Sequence, residues 1–136
     1  MPHLRCEYSA GLEAHLDMEV LGRTLHAAMA ETGVFPLGGI RVKMHRCSLA
    51  MVGDANPGHG VVNHFLALEL SVGAGRDKDV LAEAGRQLFQ VAEAVCAGQL
   101  AAPHFMLSLE IREIDPELSW KANSIHARLA ADNATG

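Results

Sequence analysis

The 136-residue chain has few aromatic residues, few cysteines and fewer basic than acidic side chains. Aromatic residues make up only 4 %, so Leu, Val, Ala and Met must provide most of the hydrophobic 49 %. The three cysteines are odd in number and form no C-x-x-C, which indicates neither a disulfide framework nor a zinc site. A net charge of −5 argues against a nucleic-acid partner and leaves no basic patch for a membrane surface.

Long apolar segments are also missing. No run reaches the 18 or so apolar residues that a membrane span needs, and no charged-then-apolar segment resembles a signal peptide. The length fits one domain with a core of its own. We therefore expect a soluble, single-domain protein of a reducing cytoplasm, with no membrane partner.

Strand and helix patterns follow each other twice along the chain. Alternation of apolar and polar residues predicts four strands. Apolar residues at helical spacing predict a helix after the first and the third strand, each beginning at an N-cap aspartate, Asp17 or Asp77. Residues 2–50 and 61–113 therefore predict two consecutive βαβ units, and residues 114–136 form a C-terminal extension.

The predicted fold class is α/β (α+β), with the two βαβ units forming a four-stranded sheet and both helices on one face. Two helices cover only one side of such a sheet. The third strand, residues 65–72, is interpreted as apolar on both faces, so the uncovered side is expected to meet another copy of the chain.

The apolar pattern fades after Ile111. Trp120 and Ile125, with Leu129, are expected to anchor a terminal helical turn. Residues 132–136 are expected to be a frayed tail.

Pro2 follows the initiator methionine and is small enough for that methionine to be removed. Removal would leave a free secondary amine at Pro2. An α-amino group has a reference pKa of about 7.7–8, and burial favours its neutral form. A buried Pro2 is therefore a candidate general base near the working pH. Because proline makes up about 5 % of residues in general, the position alone does not establish this role.

Two arginines follow glycine-rich segments at predicted strand ends. Arg41 comes after Gly38-Gly39-Ile40, and Arg76 comes after Gly73-Ala74-Gly75. Glycine lets a ligand approach the backbone closely, and a guanidinium group binds a carboxylate in a planar fork. Both are candidate anion-binding residues, and the alternative is that they are surface arginines beside ordinary turns.

Motifs for cofactors, metals and other catalytic mechanisms are missing. The segment 73–75 lacks the third glycine of G-x-G-x-x-G and the G-K-[ST] of a Walker loop. The eight histidines form no H-E-x-x-H, and no G-x-S-x-G precedes a Ser/His/Asp triad. We predict no cofactor and no metal.

An ordered series of segments spans residues 2 to about 129. It consists of Pro2-His3, T-G-V-F-P-L-G-G-I-R over 32–41, G-A-G-R over 73–76, L-S-L-E-I over 107–111, and Lys121, Asn123 and His126. This series resembles the 5-carboxymethyl-2-hydroxymuconate isomerase family of the tautomerase superfamily, which also contains 4-oxalocrotonate tautomerase and macrophage migration inhibitory factor.

The resemblance implies a trimeric, cofactor-free isomerase of homoprotocatechuate (4-hydroxyphenylacetate) catabolism that acts on a small dicarboxylate or tricarboxylate. Pro2 would be the catalytic base, and Arg41 and Arg76 would bind the carboxylate and 2-oxo groups of the substrate. The glycine-rich segment 46–60 departs from the family pattern because it lacks the expected aromatic residues. Two alternatives stay open: a related tautomerase for phenylpyruvate-like or halogenated acrylate substrates, and an oligomeric binding protein of the same fold without the chemistry.

Overall fold

A computed structural model describes residues 1–54 and 62–135, so residues 55–60 of the glycine-rich segment 46–60 lie outside the described residues. The four strands are β1 (His3–Ser9), β2 (Arg41–Cys47), β3 (His64–Gly73) and β4 (Phe105–Ile114). The helices are α1 (Met18–Glu31), α2 (Lys78–Val95), the short α3 (Ala97–Leu100) and α4 (Ile125–Thr135). In the described part of the chain, none of these helices is long and apolar enough to cross a membrane.

The four strands form one sheet in the order β2-β1-β3-β4. β1 and β2 are parallel, as are β3 and β4, because a helix connects each pair. The central strands β1 and β3 are antiparallel and join the two strand–helix–strand segments into one sheet. The predicted fold class is confirmed.

The start of α1 is fixed by a side-chain cap. Asp17 Oδ1 accepts a hydrogen bond from the backbone N–H of Val20 at 3.0 Å, which satisfies one of the free donors of the first turn. After the helix, Gly33 adopts a φ of 71°, a left-handed conformation that costs glycine little. Asp77 stands at the corresponding N-cap position of α2, but its side chain makes no cap hydrogen bond.

This difference between the two aspartates predicts unequal effects on stability. Asp17→Ala is expected to lower the free energy of unfolding by about 1 kcal/mol, the usual loss when a capping side chain is removed. Asp77→Ala is the matched control and is expected to cost less, because no cap hydrogen bond is lost. Urea denaturation of both variants measures the difference, and equal losses would contradict the capping assignment.

The core lies between the sheet and the two long helices. Buried side chains of β1, β3, α1 and α2 belong to a single cluster, so both helices cover the same face of the sheet. The largest fully buried side chains of this cluster include Leu4, Leu21, Leu25, Leu68, Leu70 and Leu88. Burial of these aliphatic groups is the main source of stability.

The opposite face of the sheet is polar rather than apolar. Arg5 and Glu7 of β1 lie on it, and Arg112 of β4 forms ion pairs with Glu69 at 3.6 Å and Glu110 at 3.1 Å. The prediction that the third strand is apolar on both faces is therefore wrong. Its second face begins with Phe65 and Ala67 but continues with Glu69 and Ser71. An apolar uncovered face is accordingly not a reason for oligomerisation.

The C-terminal extension is more ordered than predicted. α4 continues to Thr135, well beyond a single turn, and it packs beside the 3₁₀ turn Leu37–Gly39. Asn123 stabilises its start because its Oδ1 accepts hydrogen bonds from the backbone N–H groups of Ile125 and His126 at 2.7 and 3.3 Å. The predicted anchor Trp120 is 86 % exposed and packs on nothing in the core.

Candidate active site

The start of β1 and the start of β2 meet at one end of the sheet. Pro2 is buried and lies directly before β1. The parallel register pairs His3 with Arg41, and the backbone N–H of Arg41 donates to the carbonyl of Pro2 at 3.2 Å. The βαβ topology thus places Arg41 beside the amino terminus.

Arg76 reaches the same end of the sheet from another connection. Because β3 is antiparallel to β1, His3 pairs with Ser71 and the C-terminal end of β3 lies near the chain start. Arg76 Nη1 donates to the carbonyl of Gly73 at 3.3 Å, and its guanidinium carbon lies 5.4 Å from the centre of the buried Phe35 ring. That distance is within the range of a cation–π contact, so two neighbours orient this guanidinium.

The surroundings of the amino terminus favour a neutral amine. Burial lowers the pKa of the Met1 amino group from 8.0 to about 6, aided first by a hydrogen bond from Lys121 and then by the positive charges of Lys121, Arg41 and Arg76. A charged amine at this position would lose hydration and would be repelled by three nearby cations, so the neutral form is favoured. The structure therefore brings Pro2, Arg41 and Arg76 together at one place, and it adds Lys121.

Lys121 received no role in the sequence analysis beyond its place in the family resemblance. It lies in an irregular segment between the 3₁₀ turn Pro116–Leu118 and α4, where neither strand nor helix periodicity applies. Its Nζ lies 3.8 Å from the position that a Cβ on Gly73 would occupy. The resemblance is the only sequence signal that could have found it.

A cavity of about 260 Å³ opens beside the amino terminus. Its lining includes Met1, Gly39, Arg41 and residues 122–125. Asn123 Nδ2 fixes one wall by donating to the carbonyl of Gly38 at 3.0 Å, and it also contacts Met1 Sδ at 3.0 Å. A Cβ on Gly39 would lie 3.3 Å from Pro2 Cδ, so a glycine at this position lets the chain start pack closely against the loop.

The cations of this site have no acidic partner in the described part of the chain. Among residues 1–54 and 62–135, no Asp or Glu forms an ion pair with Arg41, Arg76 or Lys121, whereas Arg23 and Arg46 are each paired with a glutamate. Uncompensated positive charge in a concave site attracts an anion. The arrangement therefore suits a ligand that carries carboxylates.

The described part of the chain offers little support for a metal site or for Cys6 or Cys96 as a nucleophile. No group of three His, Cys, Asp or Glu side chains there is placed to hold a metal ion. Burial raises the pKa of Cys6 to about 12 and that of Cys96 to about 11, so neither thiol forms the reactive thiolate near neutral pH.

The fold that carries this cationic site is of the tautomerase type. The chain has the fold of a fused 4-OT solved as a symmetric trimer, with 16 % identity, a TM-score of 0.58 and coverage of 92 % of this chain and 98 % of that one. The 5-carboxymethyl-2-hydroxymuconate isomerase family model matches residues 2–129. The chain belongs to that family and is an isomerase.

Two relatives show how far the similarity extends. The 5-carboxymethyl-2-hydroxymuconate Delta-isomerase of Escherichia coli is 32 % identical over 127 residues, which cover 93 % of this chain and 98 % of the relative. The crystal structure of a 5-carboxymethyl-2-hydroxymuconate isomerase from Deinococcus radiodurans R1 is 36 % identical, with a TM-score of 0.80 and coverage of 94 % of this chain and 93 % of that one. The predicted family is confirmed.

Proposed function

We propose that the protein converts 5-carboxymethyl-2-hydroxymuconate into its 2-oxo-3-ene isomer, with Pro2 as the general base. The observation that carries the proposal is the buried chain start, where burial and the charges of Lys121, Arg41 and Arg76 lower the pKa of the Met1 amino group and would act in the same direction on a terminal amine at Pro2. Family membership supports the substrate. The reaction belongs to the catabolism of homoprotocatechuate in the cytoplasm.

The base becomes available when Met1 is removed. Removal places the terminal nitrogen on Pro2, one residue further along the chain. Successive Cα atoms are about 3.8 Å apart, so the chain start shifts by about that distance. It also clears the space beside Gly39 and Asn123 that the Met1 side chain fills. The amine of Pro2 then borders the cavity and faces the same cations.

The isomerisation needs one proton to move. The neutral nitrogen of Pro2 takes the proton from the 2-hydroxyl group of the dienol, and the negative charge spreads along the conjugated chain as a dienolate. The protonated amine then returns that proton to a distant carbon, which leaves a 2-oxo group and a 3-ene. Nothing is oxidised or reduced, and the base is regenerated.

The two arginines supply binding and charge stabilisation. Arg41 and Arg76 bind the carboxylate and the 2-oxo group, and they stabilise the dienolate as its charge develops. Donors held in position before the reaction are often the largest contribution to catalysis. The contacts of Arg76 with Gly73 and Phe35 provide such a fixed orientation.

The subunit is proposed to assemble as a homotrimer. The fold is that of a fused 4-OT solved as a trimer, and the uncovered face of the sheet offers charged groups of both signs for contacts between copies. Residues 2–50 and 61–113 are the two βαβ units of each subunit. The extension 114–136 completes the site through Lys121 and Asn123.

The proposal is tested with purified protein and 5-carboxymethyl-2-hydroxymuconate in a spectrophotometric assay that follows loss of the dienol. We expect turnover of this substrate and little turnover of phenylpyruvate or 3-chloroacrylate under the same conditions. Faster turnover of phenylpyruvate or 3-chloroacrylate would identify a substrate of that kind instead of the proposed one. No turnover of any of the three would favour a binding protein.

The pH dependence of kcat/KM tests the base. A base must be neutral to accept a proton, so activity should fall by about tenfold per pH unit below the pKa of the amine. Burial and the cations that lower the pKa of the Met1 amino group should act in the same direction on a terminal amine at Pro2, so activity should persist below pH 8 and decline only at more acidic pH. A decline that already begins near pH 8 would show an unperturbed amine and contradict the argument.

A further inference from the structure

Lys121 stands beside the two arginines but belongs to the C-terminal extension, outside both βαβ units. We propose that Lys121 is the third cation of the substrate site and pairs with one carboxylate of a tricarboxylate beside the N-terminal amine. This inference rests on the function proposed above. It assigns a specificity-determining role to a residue that neither the fold pattern nor the base mechanism requires.

Lys121 lies within reach of both the amine and Arg76. Lys121 lies close enough to the amino terminus to lower the pKa of the Met1 amine. Its Nζ also lies 3.8 Å from the Cβ position of Gly73, and the carbonyl of Gly73 accepts the hydrogen bond from Arg76. The ammonium and the guanidinium thus both lie close to the same glycine at the end of β3.

The segment that carries Lys121 is held in place by Asn123. Asn123 Nδ2 donates to the carbonyl of Gly38 at 3.0 Å, and its Oδ1 accepts from the first turn of α4. Gly38 belongs to the loop that leads into Arg41. The backbone next to Lys121 is therefore anchored to the loop that leads into Arg41.

The charge count favours a ligand with three carboxylates. Muconate is a dicarboxylate, and its carboxymethyl substituent adds a third carboxylate. Arg41 and Arg76 alone would leave one of these charges unmatched, whereas Lys121 supplies the missing cation and has no acidic partner within the described ranges. A charge-assisted hydrogen bond to a carboxylate is stronger than a neutral one.

Several groups surround the amine besides Lys121. Arg41 and Arg76 act on it through their fixed charges, and burial lowers the pKa of the adjacent His3, which keeps that ring neutral near pH 7. The ring of His126 approaches the loop at Gly38 to 2.7 Å from its Cβ position. Of the charged groups, Lys121 lowers the pKa of the Met1 amine more than Arg41 or Arg76 does.

The experiment compares Lys121→Gln and Lys121→Arg with Lys43→Gln in the mature protein. Lys43 is an exposed lysine of β2, two residues from Arg41, that does not act on the amine, which makes it a matched control. Because Lys121 is itself exposed, the variants should fold. With 5-carboxymethyl-2-hydroxymuconate we expect Lys121→Gln to lower kcat/KM by about 10- to 100-fold, mainly through KM, as for loss of one charged hydrogen bond. Lys121→Arg should recover part of the loss, and Lys43→Gln should match the wild type.

A binding measurement separates this inference from the proposed function. Isothermal titration calorimetry with tricarballylate and glutarate compares a tricarboxylate with a dicarboxylate without turnover. Lys121→Gln should weaken the binding of tricarballylate at least tenfold more than the binding of glutarate. This difference is expected even if the wild type fails to isomerise the proposed substrate. The role of Lys121 would be overturned if the variant lost affinity for both ligands equally. It would also be overturned if the variant bound tricarballylate with an affinity within about twofold of the wild type.

Discussion

Pro2→Ala is expected to lower kcat/KM by about 10²- to 10⁴-fold, the usual contribution of a positioned general base. The variant still loses Met1 because alanine is small, but it carries a primary amine without the ring that fixes the nitrogen against Gly39. The buried position and the surrounding cations make this nitrogen the group best suited to exchange the proton. Steady-state kinetics with 5-carboxymethyl-2-hydroxymuconate measures the loss.

The control for this variant is Pro103→Ala. Pro103 precedes β4 and makes no contact with the cavity beside the amino terminus, so its replacement should leave kcat/KM unchanged. Circular dichroism spectra of both variants should match the wild type. If Pro2→Ala kept activity within about threefold of the wild type, another group would have to be the base.

Arg76→Ala is expected to have the second largest effect, a loss of about 10²- to 10³-fold in kcat/KM. The substitution removes a donor that Gly73 and Phe35 hold in one orientation. Both kcat and KM should change, because the proposed role combines binding of the substrate with stabilisation of the dienolate. Arg76→Lys keeps the charge but loses the planar fork, so an intermediate rate is expected.

Arg86→Ala provides the matched arginine control. Arg86 lies on the exposed side of α2, where it pairs with Glu83, and its removal should affect neither kcat nor KM. The assignment of Arg76 would fail if its alanine variant resembled the Arg86 variant. A loss confined to KM would restrict Arg76 to binding.

Most of the fold could be predicted because its elements carry strong local patterns. Strand alternation and helical periodicity are clear in β1, β3 and α2, and Asp17 marks the beginning of α1. The prediction for the second face of β3 is wrong. Phe65 and Ala67 suggested an apolar surface, but Glu69 and Ser71 complete that face and join the charged groups of β4.

The C-terminal extension was harder to predict because its order depends on distant partners. α4 is stabilised by Asn123 and by its packing on the turn 37–39, and neither contact is visible as a periodic pattern. The same reason explains why Lys121 received no individual role. Its position near the amine follows only from the three-dimensional arrangement of the extension around Gly38 and Gly73.

The convergence of Pro2, Arg41 and Arg76 on one end of the sheet was an expectation from the family resemblance, and the sheet topology explains it. Parallel pairing brings Arg41 to the chain start, and antiparallel pairing brings the end of β3 there. Their catalytic roles remain proposals for the kinetics above. The buried environment that lowers the pKa of the amine could not be read from local sequence.

Intact-mass spectrometry of a preparation that turns over the substrate tests the central claim most directly. A terminal nitrogen on Pro2 requires that Met1 be absent, so the active protein should show the mass of the chain from residue 2 onward. Full turnover by protein that uniformly retains Met1 would contradict the account, because the nitrogen of Pro2 would then be an amide without a basic lone pair.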